Sequence, residues 1–316
     1  YGVSYNSYLI DDEMVALVDT VDICYFEVYL RKIKQVIGER PINYLIINHM
    51  EPDHSGSIRL IKQHYPGIII VGNKQTFGMI EGFYGVTGEQ YLVKEGDFLA
   101  LGHHKLRFYM TPMVHWPETM MTFDETDGVL FSGDGFGCFG TVDGGFLDTR
   151  INVDKYWGEM VRYYSNIVGK YGSPVQKALQ KLGGLPISAI CSTHGPVWTE
   201  NIAKVIGIYD RLSRYDADEG VVIAYGSMYG NTEQMAEAIA EELSAQGVKN
   251  IVMHNVTKSH PSYIIADIFR YKGLIIGSPT YSNQIFPEVE ALLSKILLRE
   301  DAIWVISVLS HGQVLL

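Results

Sequence analysis

Four side chains able to ligate a metal fall close together in the run Asn48-His49-Met50-Glu51-Pro52-Asp53-His54-Ser55-Gly56. They follow an apolar stretch at 44–47 that reads as a strand. A loop leaving a strand end can turn several donors toward one point, which is what a metal ion requires. A polar loop with accidental donors accounts for two such residues more readily than for His49, Glu51, Asp53 and His54 together. Further donors repeat the setting. His115 comes after the stretch 105–110, Asp134 after 129–131 and His194 after 187–191, often beside glycine or proline. One end of a sheet could gather all of them into a metal site.

A different chemistry is suggested downstream by Val221-Val222-Ile223-Ala224-Tyr225-Gly226-Ser227-Met228-Tyr229-Gly230-Asn231-Thr232, which opens onto a helix. Ser227, Asn231 and Thr232 supply short hydroxyl and amide groups, Gly226 and Gly230 let the backbone wrap closely, and the helix turns its positive end toward an anion in the loop. The spacing and the Ser/Thr content differ from both the GxGxxG and the Walker loops and resemble the phosphate loop of flavodoxins, implying FMN contacts from Ser227, Met228, Tyr229, Gly230, Asn231 and Thr232. A second loop, Gly277-Ser278-Pro279-Thr280-Tyr281-Ser282-Asn283, follows an apolar strand at the place where flavodoxin-like sheets put the isoalloxazine ring. The resemblance implies that Pro279, Thr280, Tyr281 and Asn283 line it.

The elements that must hold these loops differ between the two halves. Upstream, short strands at 8–10, 15–18, 44–47, 68–71, 105–110 and 129–131 are separated by turns and by helical stretches at 26–37, 57–64 and 153–168. Downstream, strands at 221–225, 250–255 and 273–277 alternate with helices at 232–246 and 286–298, the pattern of a parallel sheet covered on both faces. The character changes around Tyr215-Asp216-Ala217-Asp218-Glu219-Gly220, so two domains are expected, 1–215 and 220–316. A formal charge of −11 argues against nucleic acid as a partner. No apolar run reaches the roughly 18 residues that span a bilayer. Cys24, Cys138 and Cys191 are far apart, which suits a reduced, cytoplasmic setting, and all three are expected to be small buried thiols.

His-x-His-x-Asp-His is the ligand motif of the metallo-β-lactamase superfamily, and here Glu51 replaces the second histidine. With His115, Asp134 and His194 behind it, and the FMN-type loops after it, the sequence resembles the flavodiiron proteins. That resemblance implies an αββα metallo-β-lactamase-like domain followed by a flavodoxin-like, doubly wound parallel sheet. It implies one iron on His49, Glu51 and His115, a second on Asp53, His54 and His194, and Asp134 bridging them. Exchanging imidazole for carboxylate hardens the site and moves it from zinc toward iron, and a bridging carboxylate keeps two metals ~4 Å apart. The resemblance further implies an oxidoreductase in which electrons from rubredoxin or another reduced carrier pass through FMN to the diiron site and reduce O2 to water or NO to N2O, in a head-to-tail homodimer. Tyr164 matches a family tyrosine near the substrate cavity and could donate a hydrogen bond there, or simply pack. The ligands do not choose between O2 and NO. Two other classes stay open: a zinc hydrolase of the same superfamily, and an electron-carrying flavoprotein with a vestigial metal site.

The tail departs from the family. A third FMN loop resembling Phe-Gly-Ser-Phe-Thr-Trp-Ala-Gly is expected after the next strand, and the chain instead reads Ala302-Ile303-Trp304-Val305-Ile306-Ser307-Val308-Leu309-Ser310-His311-Gly312-Gln313 and onward. The tail can be encoded by a codon string that, read two bases later, gives Asn-Met-Gly-Tyr-Phe-Gly-Ser-Phe-Thr-Trp-Ala-Gly-Ala. The expectation is a frameshift near Asp301 that makes the flavin half incomplete and leaves Trp304 and His311 without a role. Tyr1 likewise reads as the interior of a longer chain. Resequencing across codon 301 is expected to restore the loop; an unbroken frame through these codons would refute the shift, and a flavin-saturated preparation of this form would contradict its expected weak FMN binding.

Overall fold

The computed structural model describes residues 2–142, 144–297, 306–310 and 313–315. Trp304 and His311 lie outside the described residues, and of the 302–316 tail only the backbone of 306–310 and 313–315 is described. The chain divides into two compact units, Tyr1–Met160 with Ser173–Asp210, and Val161–Gly172 with Arg211–Leu316. The segment Val161–Gly172 therefore groups with the second unit, although it precedes the boundary expected near 215–220. Its hydrogen bonds give the reason: Arg162 Nη1 donates to Ser262 Oγ at 3.0 Å and Asn166 Nδ2 to the Ser262 carbonyl at 3.0 Å.

The first sheet is built from β1 (Tyr8–Ile10) and β2 (Ala16–Val18), then, after α1 (Phe26–Ile37), β3 (Tyr44–Ile46). The short helices α2 (Pro52–Ser55) and α3 (Ile58–His64) lead to β4 (Ile69–Gly72), and α4 (Lys74–Tyr84) to β5 (Gln90–Leu92). These strands lie in the order β1-β2-β3-β4-β5, with only the β1–β2 pair antiparallel. The second sheet comprises β6 (Phe98–Ala100), β7 (Lys105–Met110), β8 (Met120–Asp124) and β9 (Val129–Gly133). After α5 (Asp154–Tyr163) and α6 (Gly172–Leu182) it is completed by β10 (Ala189–Ser192), and α7 (Ile202–Ser213) follows. Its order is β10-β9-β8-β7-β6, with β10 and β9 parallel.

Alternation along the strands sorts their side chains between two cores. Ala16, Val18, Ile46 and Val71 face the second sheet and pack with Leu99, Leu106, Phe108, Met120 and Phe131. Their neighbours Leu17, Leu45 and Ile70 face the helices and meet Phe26, Leu30, Ile33, Ile37, Ile58, Ile61, Phe77 and Ile80. In α1 those residues recur at helical spacing, and Gly38, at φ +62°, ends the helix by donating to the Lys34 carbonyl at 2.9 Å. The opposite face of the second sheet buries Met121, Phe123, Leu130 and Ile190. The architecture is αββα. Cys138 and Cys191 are buried, but Cys24 is exposed, because it sits in the single helical turn Ile23–Tyr25 whose backbone is capped by Asp22.

In the second unit, β11 (Asp218–Tyr225), α8 (Asn231–Ala245), β12 (Ile251–Asn255), α9 (Pro261–Arg270) and β13 (Tyr271–Gly277) alternate. They are followed by a small hairpin of β14 (Thr280–Tyr281) and β15 (Gln284–Ile285), then α10 (Pro287–Leu297), β16 (Ile306–Ser310) and β17 (Gln313–Leu315). The order is β12-β11-β13-β16-β17. Val222 and Ala224 pack toward Ile264, Ile268, Val289 and Leu292 of α9 and α10, while Ile223 and Tyr225 face Ala236 of α8, so both faces are covered. The sheet is not wholly parallel as expected, because β17 runs antiparallel to β16. Two residues separate these strands, too few for the crossover a parallel neighbour needs. Among the described residues no helix is long and apolar enough to cross a membrane.

Ile46, fully buried between the sheets, and Val36, 63% exposed on α1, give a direct contrast. Ile46→Ala is expected to lower unfolding free energy by about 2–5 kcal/mol, and Val36→Ala to change it by less than about 0.5 kcal/mol, as measured by urea titration.

Candidate metal centre

The upstream donors come from strand ends on one side of the sandwich. His49 lies just past β3, Glu51 immediately precedes α2, and Asp53 and His54 lie within α2, which Pro52 starts at a position needing no backbone N–H. Asp134 directly follows β9, His194 lies just past β10, and His115 sits in the β7–β8 loop. Their ligating atoms fall into two groups, His49, Glu51, His115 and Asp134, and Asp53, His54 and His194.

In the first group His115 Nε2 lies 3.0 Å from Glu51 Oε2, 3.0 Å from Asp134 Oδ2 and 3.3 Å from His49 Nε2. In the second, His54 Nε2 lies 3.1 Å from His194 Nε2, 3.3 Å from Asp53 Oδ2 and 3.0 Å from Asp134 Oδ1. Asp134 thus turns one oxygen to each group. Around a cation with ligand bonds of ~2.1 Å, tetrahedral donors stand ~3.4 Å apart, so both sets have the spacing of atoms sharing a central ion. Pairs of imidazole nitrogens at 3.1 and 3.3 Å, with carboxylates on either side, fit two metal ions. His49, His54, Asp134 and His194 are buried, whereas the Glu51 and Asp53 side chains are 37% and 23% exposed and form the solvent-facing side.

Electrostatics agree with that fit. Burial disfavours a charged His49, but Asp134 and hydrogen bonds to Glu118 and Glu51 outweigh it and raise the imidazole to about 10. Burial opposes ionisation of Glu51, yet His115 and His49 hold it at about 2. Despite its burial, His54 and His49 keep Asp134 well below the usual carboxylate range. The same contest raises His115 and His194. The site draws positive charge inward, and metal ions entering it displace protons.

Several supporting residues escaped sequence reasoning. Glu118, fully buried in the β7–β8 loop, takes the His49 Nδ1 proton at 2.9 Å and the Met50 backbone N–H at 2.9 Å, leaving His49 Nε2 for the cluster. Asp19, just past β2, accepts the backbone N–H groups of Asn48 (2.8 Å) and His49 (3.3 Å). Burial pushes Asp19 up to about 6, with His54 and those N–H groups limiting the rise. Thr193 Oγ1 donates to Asp134 Oδ1 at 2.6 Å, and His194 Nδ1 donates to the Ser4 carbonyl at 2.7 Å. Glu118 carries a local signal, three residues after His115, and Asp19 has the same strand-end placement as the ligands; neither shows its partner until the loops meet.

In the second unit a cavity of about 280 Å³ is lined by Ser227, Met228, Tyr229, Asn231, Thr232, Pro279 and Thr280. Gly230, at φ +86°, immediately precedes α8, and among the described residues no side chain caps that helix, which leaves its first N–H groups toward the loop. Ser227 Oγ accepts the Gly230 N–H at 3.1 Å and closes the loop. A Cβ at Gly226 would come 2.6 Å from the Phe286 ring, so the loop passes α10 only as glycine. An uncapped helix N-terminus beside a cavity that Ser227, Asn231, Thr232 and Thr280 help to line fits a phosphate group. Tyr281 and Asn283 do not line this cavity. They belong to the β14–β15 hairpin, whose turn residues Ser282 and Asn283 have φ of +47° and +62°. Tyr164 opens a π-helical turn, buried against Phe269 at 6.5 Å between ring centroids. Burial and then Tyr215 push its phenol up, against a hydrogen bond with Ser213, so it stays protonated.

A family model described as ODP family beta lactamase matches residues 3–195, and one described as flavodoxin matches residues 223–304. The anaerobic nitric oxide reductase flavorubredoxin of Vibrio vulnificus is 33% identical over 300 residues, covering 93% of this chain and 60% of that protein. The chain therefore spans about 60% of that relative's length. Among solved structures, rubredoxin oxygen:oxidoreductase from Desulfovibrio gigas superposes with a TM-score of 0.92 at 30% identity, covering 98% of this chain and 79% of that one. The flavodiiron protein from Giardia intestinalis gives 0.93 at 27% identity, covering 99% and 77%. Sandwich, paired strand-end ligands and flavodoxin sheet together define a two-domain metallo-β-lactamase-like flavoprotein. The chain belongs to the ODP beta-lactamase family, in the two-domain form of the flavodiiron proteins.

Replacing Glu118 tests the support of the metal loop. Glu118→Gln is expected to weaken metal retention about 10–100-fold, measured as metal content after dialysis against graded chelator. Retention equal to that of the parent chain would show that the Glu118 charge does not hold His49.

Proposed function

We propose that this chain is an oxidoreductase that reduces O2 to water, NO to N2O, or both, with two irons in the β-lactamase-like unit and FMN in the flavodoxin-like unit. The observation that carries the reading is Asp134, whose two oxygens reach separate groups of three ligands each. His49, Glu51 and His115 would hold one iron, Asp53, His54 and His194 the other, and Asp134 would bridge them. Ser227 to Thr232, with Pro279, Thr280, Tyr281 and Asn283, would hold FMN. When bound, FMN accepts electrons from a reduced carrier and the irons supply the redox-active centre for a diatomic substrate.

The chain's own residues set the conditions. Glu118 fixes the His49 tautomer, Asp19 ties down the backbone that carries His49, and Thr193 orients Asp134. The exposed flank at Glu51 and Asp53 leaves an approach for a small molecule, while buried imidazoles exclude bulk water from the other side. A protonated Tyr164 phenol is assigned hydrogen-bond donation to bound oxygen or nitrogen species, on its match to the family tyrosine. A rubredoxin-type donor, a head-to-tail homodimer and a cytoplasmic location complete the reading. Three cysteines without disulfides agree with a reducing compartment.

One full-length preparation tests these points together. Its iron, zinc and FMN contents and its mass by sedimentation are measured, then it is reduced anaerobically and exposed separately to O2 and NO. Two irons per chain, a dimer mass and consumption of at least one gas are expected. Zinc without iron would turn the reading to a hydrolase, and failure to consume either gas would turn it to an electron carrier. Asp134→Asn is expected to lose iron and activity together, and Tyr164→Phe to lower turnover at unchanged iron content; unchanged turnover would leave Tyr164 a packing residue.

A further inference from the structure

A separate cluster lies where three turns of the first unit meet, at His104, Asp12, Asp124 and Asp127. Its distance from the metal centre follows from β8. Met120 at the start of that strand donates to the Asn48 carbonyl beside His49, whereas Asp124 ends it. At ~3.4 Å per residue the strand separates the two places by ~13 Å.

Each member is placed by a specific contact. Asp12, in the β1–β2 turn, accepts the backbone N–H groups of Glu13, His103 and His104 at 2.7–3.1 Å. It also takes the His104 Nδ1 proton at 2.8 Å, which leaves Nε2 as the outward atom. A Cβ at Gly102 would sit 2.8 Å from Asp12 Oδ1, so the β6–β7 turn closes over Asp12 only as glycine. His104 Nε2 then lies 3.4 Å from Asp127 Oδ2 and 3.9 Å from Asp124 Oδ2. Asp124 is 3% exposed; its Oδ1 accepts the Thr126 N–H at 3.0 Å, but its Oδ2 accepts no hydrogen bond among the described residues. No lysine or arginine among the described residues pairs with these three carboxylates, because Lys105 and Arg107 are engaged with Glu125. Even a protonated His104 leaves a surplus of negative charge around Asp124 Oδ2 and Asp127 Oδ2.

We infer that His104 Nε2, Asp124 Oδ2 and Asp127 Oδ2 form a second, structural site for a divalent transition ion such as zinc. His104 Nε2 makes a long hydrogen bond to Asp127 Oδ2 at 3.4 Å and stands 3.9 Å from Asp124 Oδ2, separations near the ~3.4 Å between donors on one cation. The donor set, one imidazole and two carboxylates, suits a borderline ion with water completing the coordination. Asp12 belongs to the first sheet's turn and Asp124 and Asp127 to the second's, so an ion here ties the two sheets together through His104.

The test is equilibrium dialysis of the full chain, with its own metals in place, against zinc chloride, followed by iron and zinc analysis. The parent chain is expected to take up about one zinc with no loss of iron and to unfold at a higher temperature once loaded. His104→Gln and Asp127→Asn are expected to bind that zinc at least about tenfold more weakly, with iron unchanged. Asp127 is 61% exposed on its side chain, so its variant guards against a folding defect. No zinc uptake, equal uptake by the parent and both variants, or uptake only in exchange for iron would overturn the inference.

Discussion

Asp134 is buried with 2% exposure between four imidazoles, and it can be there only because each of its oxygens faces a different pair of nitrogens. An isolated carboxylate at that depth would be driven to its neutral form. Here the surrounding histidines hold it ionised, and it in turn helps to raise His49, His115 and His194. Glu51 and Asp53 add further negative charge at the solvent side. The rest of the first unit can be understood as what keeps these like charges and imidazoles from relaxing apart.

That work falls to strand ends rather than to the loops themselves. Because β9 and β10 run parallel, Asp134 and the stretch leading to His194 emerge on the same side. Asn48 joins the sheets directly: its carbonyl accepts the Met120 N–H, its Oδ1 the Thr122 hydroxyl, and its Nδ2 donates to the Phe131 carbonyl. His49 follows it and inherits that rigidity, reinforced by Asp19 from one strand and Glu118 from a distant loop. The N-terminal segment does the same for His194, with Ser4 taking its Nδ1 proton and Asn6 Nδ2 donating to the Ser192 and Gly195 carbonyls.

The second unit meets its requirement with less. An anion there needs only backbone N–H groups pointing outward, and an uncapped α8 behind a glycine turn provides them without buried charge. The two chemistries differ accordingly in what holds them. The candidate metal donors depend on contacts between residues far apart in the chain, whereas the candidate anion loop is a local strand–loop–helix closed by its own Ser227.

The difference explains how much could be read from the residues alone. Donor types, their placement after strands, the doubly covered sheet downstream and the Ser/Thr-rich loop were legible because each is a local pattern in chain order. The helix at 26–37 was legible for the same reason, since its apolar spacing lies within it. Less legible were β8, whose residues are buried on both faces and show no alternation, and the grouping of Val161–Gly172 with the second unit, which rests on hydrogen bonds to Ser262. Glu118, Asp19 and the His104 cluster were invisible as partners because each pairing crosses between turns on different strands. The sequence by itself determined which groups could bind metal and where along the chain they would be presented. Only the tertiary structure decided which oxygen faces which nitrogen, because that depends on strand order and register, and those are set by the packing of two sheets rather than by any one segment.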